Sequence, residues 1–197
     1  MDRNHLSDYF FEQNAKAPEY RDGMYRNRLH KFISARLITN VYPKNLIVQV
    51  PGNVCDRIYF VDQGAIQGYD YDLQRNSKET LYLWNKHALA TDALSFSYQH
   101  PGDFYMEIMA NSTVSHLGFF DYLELIHEFS PAKNFSGSLK ELEKYWYCGR
   151  FRNYPGKAAE KLEFFRHEIP GVELYITKGS MSSFVGVSRE HLSRKDK

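Results

Sequence analysis

The run from Gly179 to Arg194, Gly-Ser-Met-Ser-Ser-Phe-Val-Gly-Val-Ser-Arg-Glu-His-Leu-Ser-Arg, constrains the fold of its part of the chain more than any other stretch. Met181, Phe184 and Val185 recur at helical spacing, and Gly186 stands where a helix needs a left-handed residue to stop. Val187 reads as a buried turn residue. Ser188 is a good N-cap for a second short helix, in which Leu192 points inward while Arg189, Glu190, Ser193 and Arg194 point out. Helix, glycine turn, helix is the plan of a unit whose second helix enters the major groove of DNA. The outward set suits base reading: arginine forks onto guanine, glutamate accepts from cytosine, and serine reaches base or phosphate. An ordinary helical hairpin with a solvated outer face fits the same pattern.

Taken in order, Met181-Ser-Ser-Phe-Val-Gly-Val-Ser-Arg-Glu-His-Leu-Ser-Arg194 resembles the helix-turn-helix signature of the Crp/Fnr family of bacterial transcription regulators. The resemblance implies DNA contacts from Arg189, Glu190 and Arg194, as in the cyclic AMP receptor type. It equally implies Glu190, Ser193 and Arg194, as in the Fnr type, and Ser188 joins the expected DNA-binding set. Two departures stand out. Ser182 occupies a position where alanine is usual, and the sequence closes at Lys197, so the β-hairpin wing of most members is expected to be missing.

The body ahead of this unit has a different rhythm. Residues up to about Ile38 carry Leu6, Tyr9, Phe10, Met24, Tyr25, Leu29, Phe32, Ile33 and Leu37 at spacings that suit amphipathic helices. From Val41 onward, short apolar runs alternate with turn signals: Leu46 to Val50, Arg57 to Val61, Ala65 to Tyr71 and Glu79 to Trp84. Such spacing argues for a sandwich, jelly roll or barrel. Gly52 and Gly64 fall where strands reverse and positive φ is expected.

This body also resembles the family's sensor domain, through Pro43-Lys-Asn-Leu-Ile47, Pro51-Gly-Asn53 and Ile58-Tyr-Phe-Val-Asp-Gln-Gly64. The fold implied is α+β: a double-stranded β-helix (a cyclic-nucleotide-binding-like jelly roll) over residues 1–130 with flanking helices, a long dimerisation helix over 131–154, and a small helix-turn-helix domain over 155–197. Between Trp84 and Val114 the resemblance implies a helical cassette around a cyclic phosphate. The phosphate-neutralising arginine of that cassette is replaced by Gly102-Asp103. An unpaired phosphate beside a carboxylate is costly to bury, so binding of cyclic AMP in the usual way is not expected. The run Thr91-Asp-Ala-Leu-Ser-Phe96 resembles short members that lack the arginine. Asp92, Ser95 and Phe96 then either cap and pack the cassette helix or, with Trp84, Asp103, Phe104, Tyr105 and Met106, line a cavity for an unknown small-molecule effector.

From Leu139 to Tyr154, Leu139, Leu142, Trp146 and Gly149 approximate a coiled-coil seam, with Lys140, Glu141, Glu143 and Lys144 outside. The seam serves either a homodimer or packing on the β-body; the family parallel favours the dimer, since paired half-sites need two reading helices. Asn153-Tyr-Pro-Gly156 marks a boundary, and Ala158 to His167 reads as a further amphipathic helix.

Charge and composition set the remaining bounds. The 197 residues are 43% hydrophobic and 16% aromatic, enough for a substantial core. The formal net charge is only +1, yet from Arg150 onward there are ten Lys/Arg against six Asp/Glu, which fits a DNA-binding tail on a neutral body. Cys55 and Cys148 are too few and too distant for a thiolate metal site. The scattered histidines, among them His87, His100, His116 and His127, show no ligand spacing, and no catalytic signature or phosphate loop is present. The chain is therefore expected to be a cytoplasmic regulator with DNA as partner, without enzyme activity, cofactor, metal or membrane span. The rival expectations are a ligand-binding β-roll with a vestigial helix-turn-helix, and a cupin-type metalloenzyme.

Overall fold

The computed structural model describes residues 18–74, 76–129, 139 and 143–193. The helix expected around Leu6, Tyr9 and Phe10 lies outside them. Helix α1, Gly23–Arg36, starts on Asp22, whose side chain accepts from the Met24 amide, and it buries Leu29 and Ile33. Met24, expected on the inner face, is exposed.

Eight strands follow: β1 Ile38–Tyr42, β2 Leu46–Gln49, β3 Arg57–Gln63, β4 Ile66–Asp72, β5 Ser77–Trp84, β6 Leu89–Ala90, β7 Tyr105–Ile108 and β8 Ser112–Gly118. They form two antiparallel sheets of four, ordered β1-β8-β3-β6 and β2-β7-β4-β5. Tyr59, Val61, Ile66, Trp84, Met106, Ile108 and Val114 fill the space between the sheets. Inward alternation of β-branched and aromatic side chains on both faces produces this sandwich. Gly64 turns β3 into β4 at φ +97, and a Cβ there would sit 2.1 Å from Ser112 Oγ. Only glycine fits that corner.

The span from Trp84 to Val114 is less helical than expected. It contains β6, one short helix (α2, Ala93–Tyr98), β7 and the start of β8. Helix α3, Phe119–Glu128, packs against α1, with Arg36 bonded to Glu124 at 2.8 Å and lying 3.7 Å over the Phe32 ring. Leu29, Phe60, Phe96, Tyr122, Leu125 and Leu139 belong to the core beneath this side.

The continuous helix expected from Leu139 to Tyr154 is broken at Tyr147. That residue is extended, at φ −79 and ψ 137, and makes an isolated antiparallel bridge to Tyr82. The break follows from packing. Tyr147 lays its ring 5.3 Å from that of Tyr82, and the restarted helix α4, Cys148–Arg152, turns Cys148 and Phe151 fully inward. Helices α5, Ala158–Glu168, α6, Lys178–Val185, and α7, Arg189–Ser193, complete the described chain. Their core residues Leu162, Phe165, Met181, Phe184, Val185 and Leu192 share one cluster with Ala65, Leu83 and Met109 of the β-roll. Among the described residues no helix is long and apolar enough to cross a membrane.

Candidate functional site

Helix α6 begins on Thr177, whose Oγ1 accepts from the Ser180 amide at 3.0 Å, and ends on Gly186 at φ +73. The amides of Gly186 and Val187 both donate to the Ser182 carbonyl. The Ser182 hydroxyl, the departure noted in the sequence, donates to the Val187 carbonyl and so ties the turn to the helix. Helix α7 then leaves at an angle fixed by Leu192, which is 4% exposed in the cluster of Met181, Phe184 and Val185. Ser188, Arg189, Glu190 and His191 are exposed on its outer side. The Ser188 hydroxyl pairs with His191 Nδ1 at 2.7 Å across the first turn. Ser193 falls within α7, and Arg194 lies outside the described residues.

The sequence did not indicate how this unit meets the β-roll. Arg152, at the end of α4, pairs with Glu79 at 2.7 Å through Nη1, donates to the Thr80 carbonyl through Nη2, and donates to the Ser183 carbonyl of α6 through Nε. Alongside, the Thr80 amide donates to Ser183 Oγ at 3.0 Å, and Ser180 Oγ donates to Gln67 Oε1 at 3.3 Å. Thr80 and Gln67 are almost fully buried, so these bonds satisfy groups that would otherwise be costly to enclose. Nothing local in the sequence links residue 152 to strand β5. The signal is a pairing across 73 positions.

Three residues of the expected dimer seam are described, and each meets different neighbours within the chain. Leu139 is 2% exposed within the β-body core, and Trp146 is half-buried between two clusters of the same chain. Gly149 faces the Tyr147 ring, where a Cβ would sit 2.7 Å from Cε1; Leu142 lies outside the described residues. Leu139 and Trp146 thus pack against clusters of their own chain, on the N-terminal side of the break at Tyr147.

The cavity expected around Trp84, Phe96, Phe104, Tyr105 and Met106 is not built as such. Trp84 stacks on Tyr82 in the core between the sheets, whereas Phe96 packs edge-on against Phe119 and Tyr122 in the other core. Met106 is fully buried, and Tyr105 stacks on Tyr69. Asp92 and Ser95 take the capping role: Asp92 Oδ1 accepts from the Ser95 amide at 3.0 Å, and Ser95 Oγ accepts from the Cys55 amide and donates to the His100 carbonyl.

Four of the expected residues, Asp92, Ser95, Asp103 and Phe104, do line a cavity of about 520 Å³, together with Tyr82, Tyr147 and Glu143. Among the described residues lining it there is no lysine or arginine. Burial pushes the Asp92 carboxyl above the usual carboxylate range, and the charge of Asp103 adds to that against the Ser95 hydrogen bond. A Cβ on Gly102 would stand 2.5 Å from Asp92 Oδ2 and 2.6 Å from Gln49 Nε2, so those two side chains fill the space beside its backbone. Among the described residues no three His, Cys, Asp or Glu side chains are grouped to hold a metal ion.

Comparison with known proteins places this architecture. No family model matches the chain, and no curated protein does. Solved structures do match. FixK2 from Bradyrhizobium japonicum aligns at a TM-score of 0.61 with 12% identity, over 80% of this chain and 81% of that one. A transcriptional regulator of the Crp/Fnr family from Eubacterium rectale aligns at 0.59 with 16% identity, over 88% and 84%. A cyclic nucleotide binding protein from Ruegeria pomeroyi aligns at 0.58 with 14% identity, over 92% and 84%. The class of fold is therefore an α+β jelly roll of the cyclic-nucleotide-binding kind followed by helices. Within that class, the chain has the fold of the Crp/Fnr transcription regulators.

Proposed function

We propose that the chain is a sequence-specific DNA-binding transcription regulator of the Crp/Fnr type that does not respond to cyclic AMP. The observation that carries this reading is α6, the Gly186 turn and α7. A buried Leu192 fixes the second helix while Ser188, Arg189 and Glu190 remain on its open side. A short helix held from beneath and polar on top has the shape and donor set that a major groove accepts. Ser193 and Arg194 are assigned to the same DNA-contacting set from the sequence motif. The effector cavity, if it serves a ligand, disfavours an anion, because Asp92, Asp103 and Glu143 edge it and no lysine or arginine is among its described lining.

Selection of bound sequences from random duplex DNA tests the reading. The expected result is a palindromic site whose half-sites lie about 34 Å apart, bound by two copies of the chain. A titration of affinity against salt separates this from a ligand-binding module with an inert helix-turn-helix, since only phosphate contacts give a steep slope. Failure to select any sequence overturns the proposal. Calorimetry with cyclic AMP is expected to show no saturable heat.

A further inference from the structure

The most informative residue of the reading unit outside its second helix is Gly179. It is the second residue of α6, its φ is not in the left-handed region, and it faces no demand of turn geometry. A glycine there lowers helix stability relative to alanine. What occupies the space instead is the guanidinium of Arg189. A Cβ on Gly179 would sit 2.8 Å from Arg189 Nη2 and 3.3 Å from its Cζ, closer than such atoms pack. The arginine of the second helix therefore lies against the opening turn of the first, where a side chain on residue 179 would push its tip aside.

The first helix is itself fixed. Ser180, next to Gly179, bonds to the buried Gln67 of β4, and Ser183, one turn on, bonds to the Thr80 amide of β5 and to Arg152. Gly179 and Arg189 also share one cleft with Asp72, Glu79 and Arg152. The orientation of Arg189 is thus referred, through a short rigid helix, to the sheet of the β-roll. An arginine already laid along a surface loses less rotamer freedom on binding than one that moves freely in solvent.

We infer that Gly179 is a specificity-determining positioning residue, whose missing side chain sets the direction from which Arg189 meets its base. The inference rests on the DNA-binding reading above. The test is Gly179→Ala in the full chain, beside Arg189→Ala and the double variant, each carried through thermal unfolding and selection from random duplex DNA.

A purely structural glycine predicts that Gly179→Ala raises the unfolding temperature and leaves the selected sequence alone. The positioning role predicts an unfolding temperature at or above that of the wild type, together with a roughly tenfold loss of preference at the base pair that Arg189→Ala also relaxes. It further predicts that the double variant is no worse than Arg189→Ala alone. A Gly179→Ala chain that selects the same sequence with the same preference as the wild type overturns the inference and leaves the DNA-binding reading standing. Equal losses at every base pair, or losses that add to those of Arg189→Ala, also overturn it. A wild-type chain that selects nothing sinks both.

Discussion

Arg152 holds three groups on two elements with one planar group: a carboxylate on β5, a carbonyl on β5 and a carbonyl on α6. The fork geometry of a guanidinium makes this feasible where a lysine would hold only one partner at a time. Glu79 is about half exposed, so its charge adds little, and the bonds to the two carbonyls carry the weight. Arg152→Ala is expected to cost about 1–3 kcal/mol in urea unfolding and to speed hydrogen exchange in α6 more than in β3. Glu168 offers a pH test at the same scale. Burial raises its carboxyl, but hydrogen bonds from Arg150, His167 and Tyr145 outweigh burial and hold it at about 2, below the ordinary 4.5. A depressed carboxyl stabilises the folded chain above its unfolded value, and that contribution fades as pH falls from about 4.5 towards about 2. Glu168→Gln is expected to flatten the acid limb of stability over that window, read from urea midpoints at successive pH values.

Among the elements, the ones governed by local chemistry were legible in the sequence. Gly186 announced the end of α6, and the pairs Met181 with Phe184 and Val185 announced its inner face; the structure has both. Gly186→Ala is expected to cost about 1–2 kcal/mol, since its φ of +73 is unfavourable for any residue with a Cβ and Arg152 Cγ stands 3.1 Å away. The strands from β2 to β5 were legible from their alternation and turns. β7, β8 and the break at Tyr147 were not, because each depends on a partner far along the chain: β8 on β1 and β3, Tyr147 on Tyr82. A heptad-like stripe from Leu139 to Gly149 looks the same whether it faces a second copy or its own β-roll. Leu139→Ala is expected to remove about 2–5 kcal/mol from the stability of the single chain while leaving its association in analytical ultracentrifugation unchanged. A loss of self-association without a loss of stability would restore the seam.

The whole molecule is close to electrically neutral, so its proposed affinity for DNA has to come from a local surface rather than an overall field. The logarithm of affinity is therefore expected to fall with the logarithm of salt at a slope matching a handful of phosphate contacts, about 0.9 per contact. A slope near zero would leave a β-roll with an idle appendage. The candidate site was readable as a motif but not as an assembly. Ser188, Arg189 and Glu190 could be picked out by order alone, whereas Arg152, Thr80 and Ser183, which dock their unit on the sheet, carry no local mark. The interruption at Tyr147 bears on what this stretch tolerates. Trp146 and Cys148 are seated in cores on either side of a residue in register with Tyr82. Adding or removing one amino acid there would swing Cys148 and Phe151 by about 100° around their axis and expel both into water. Spelling is negotiable at that joint, and length is not.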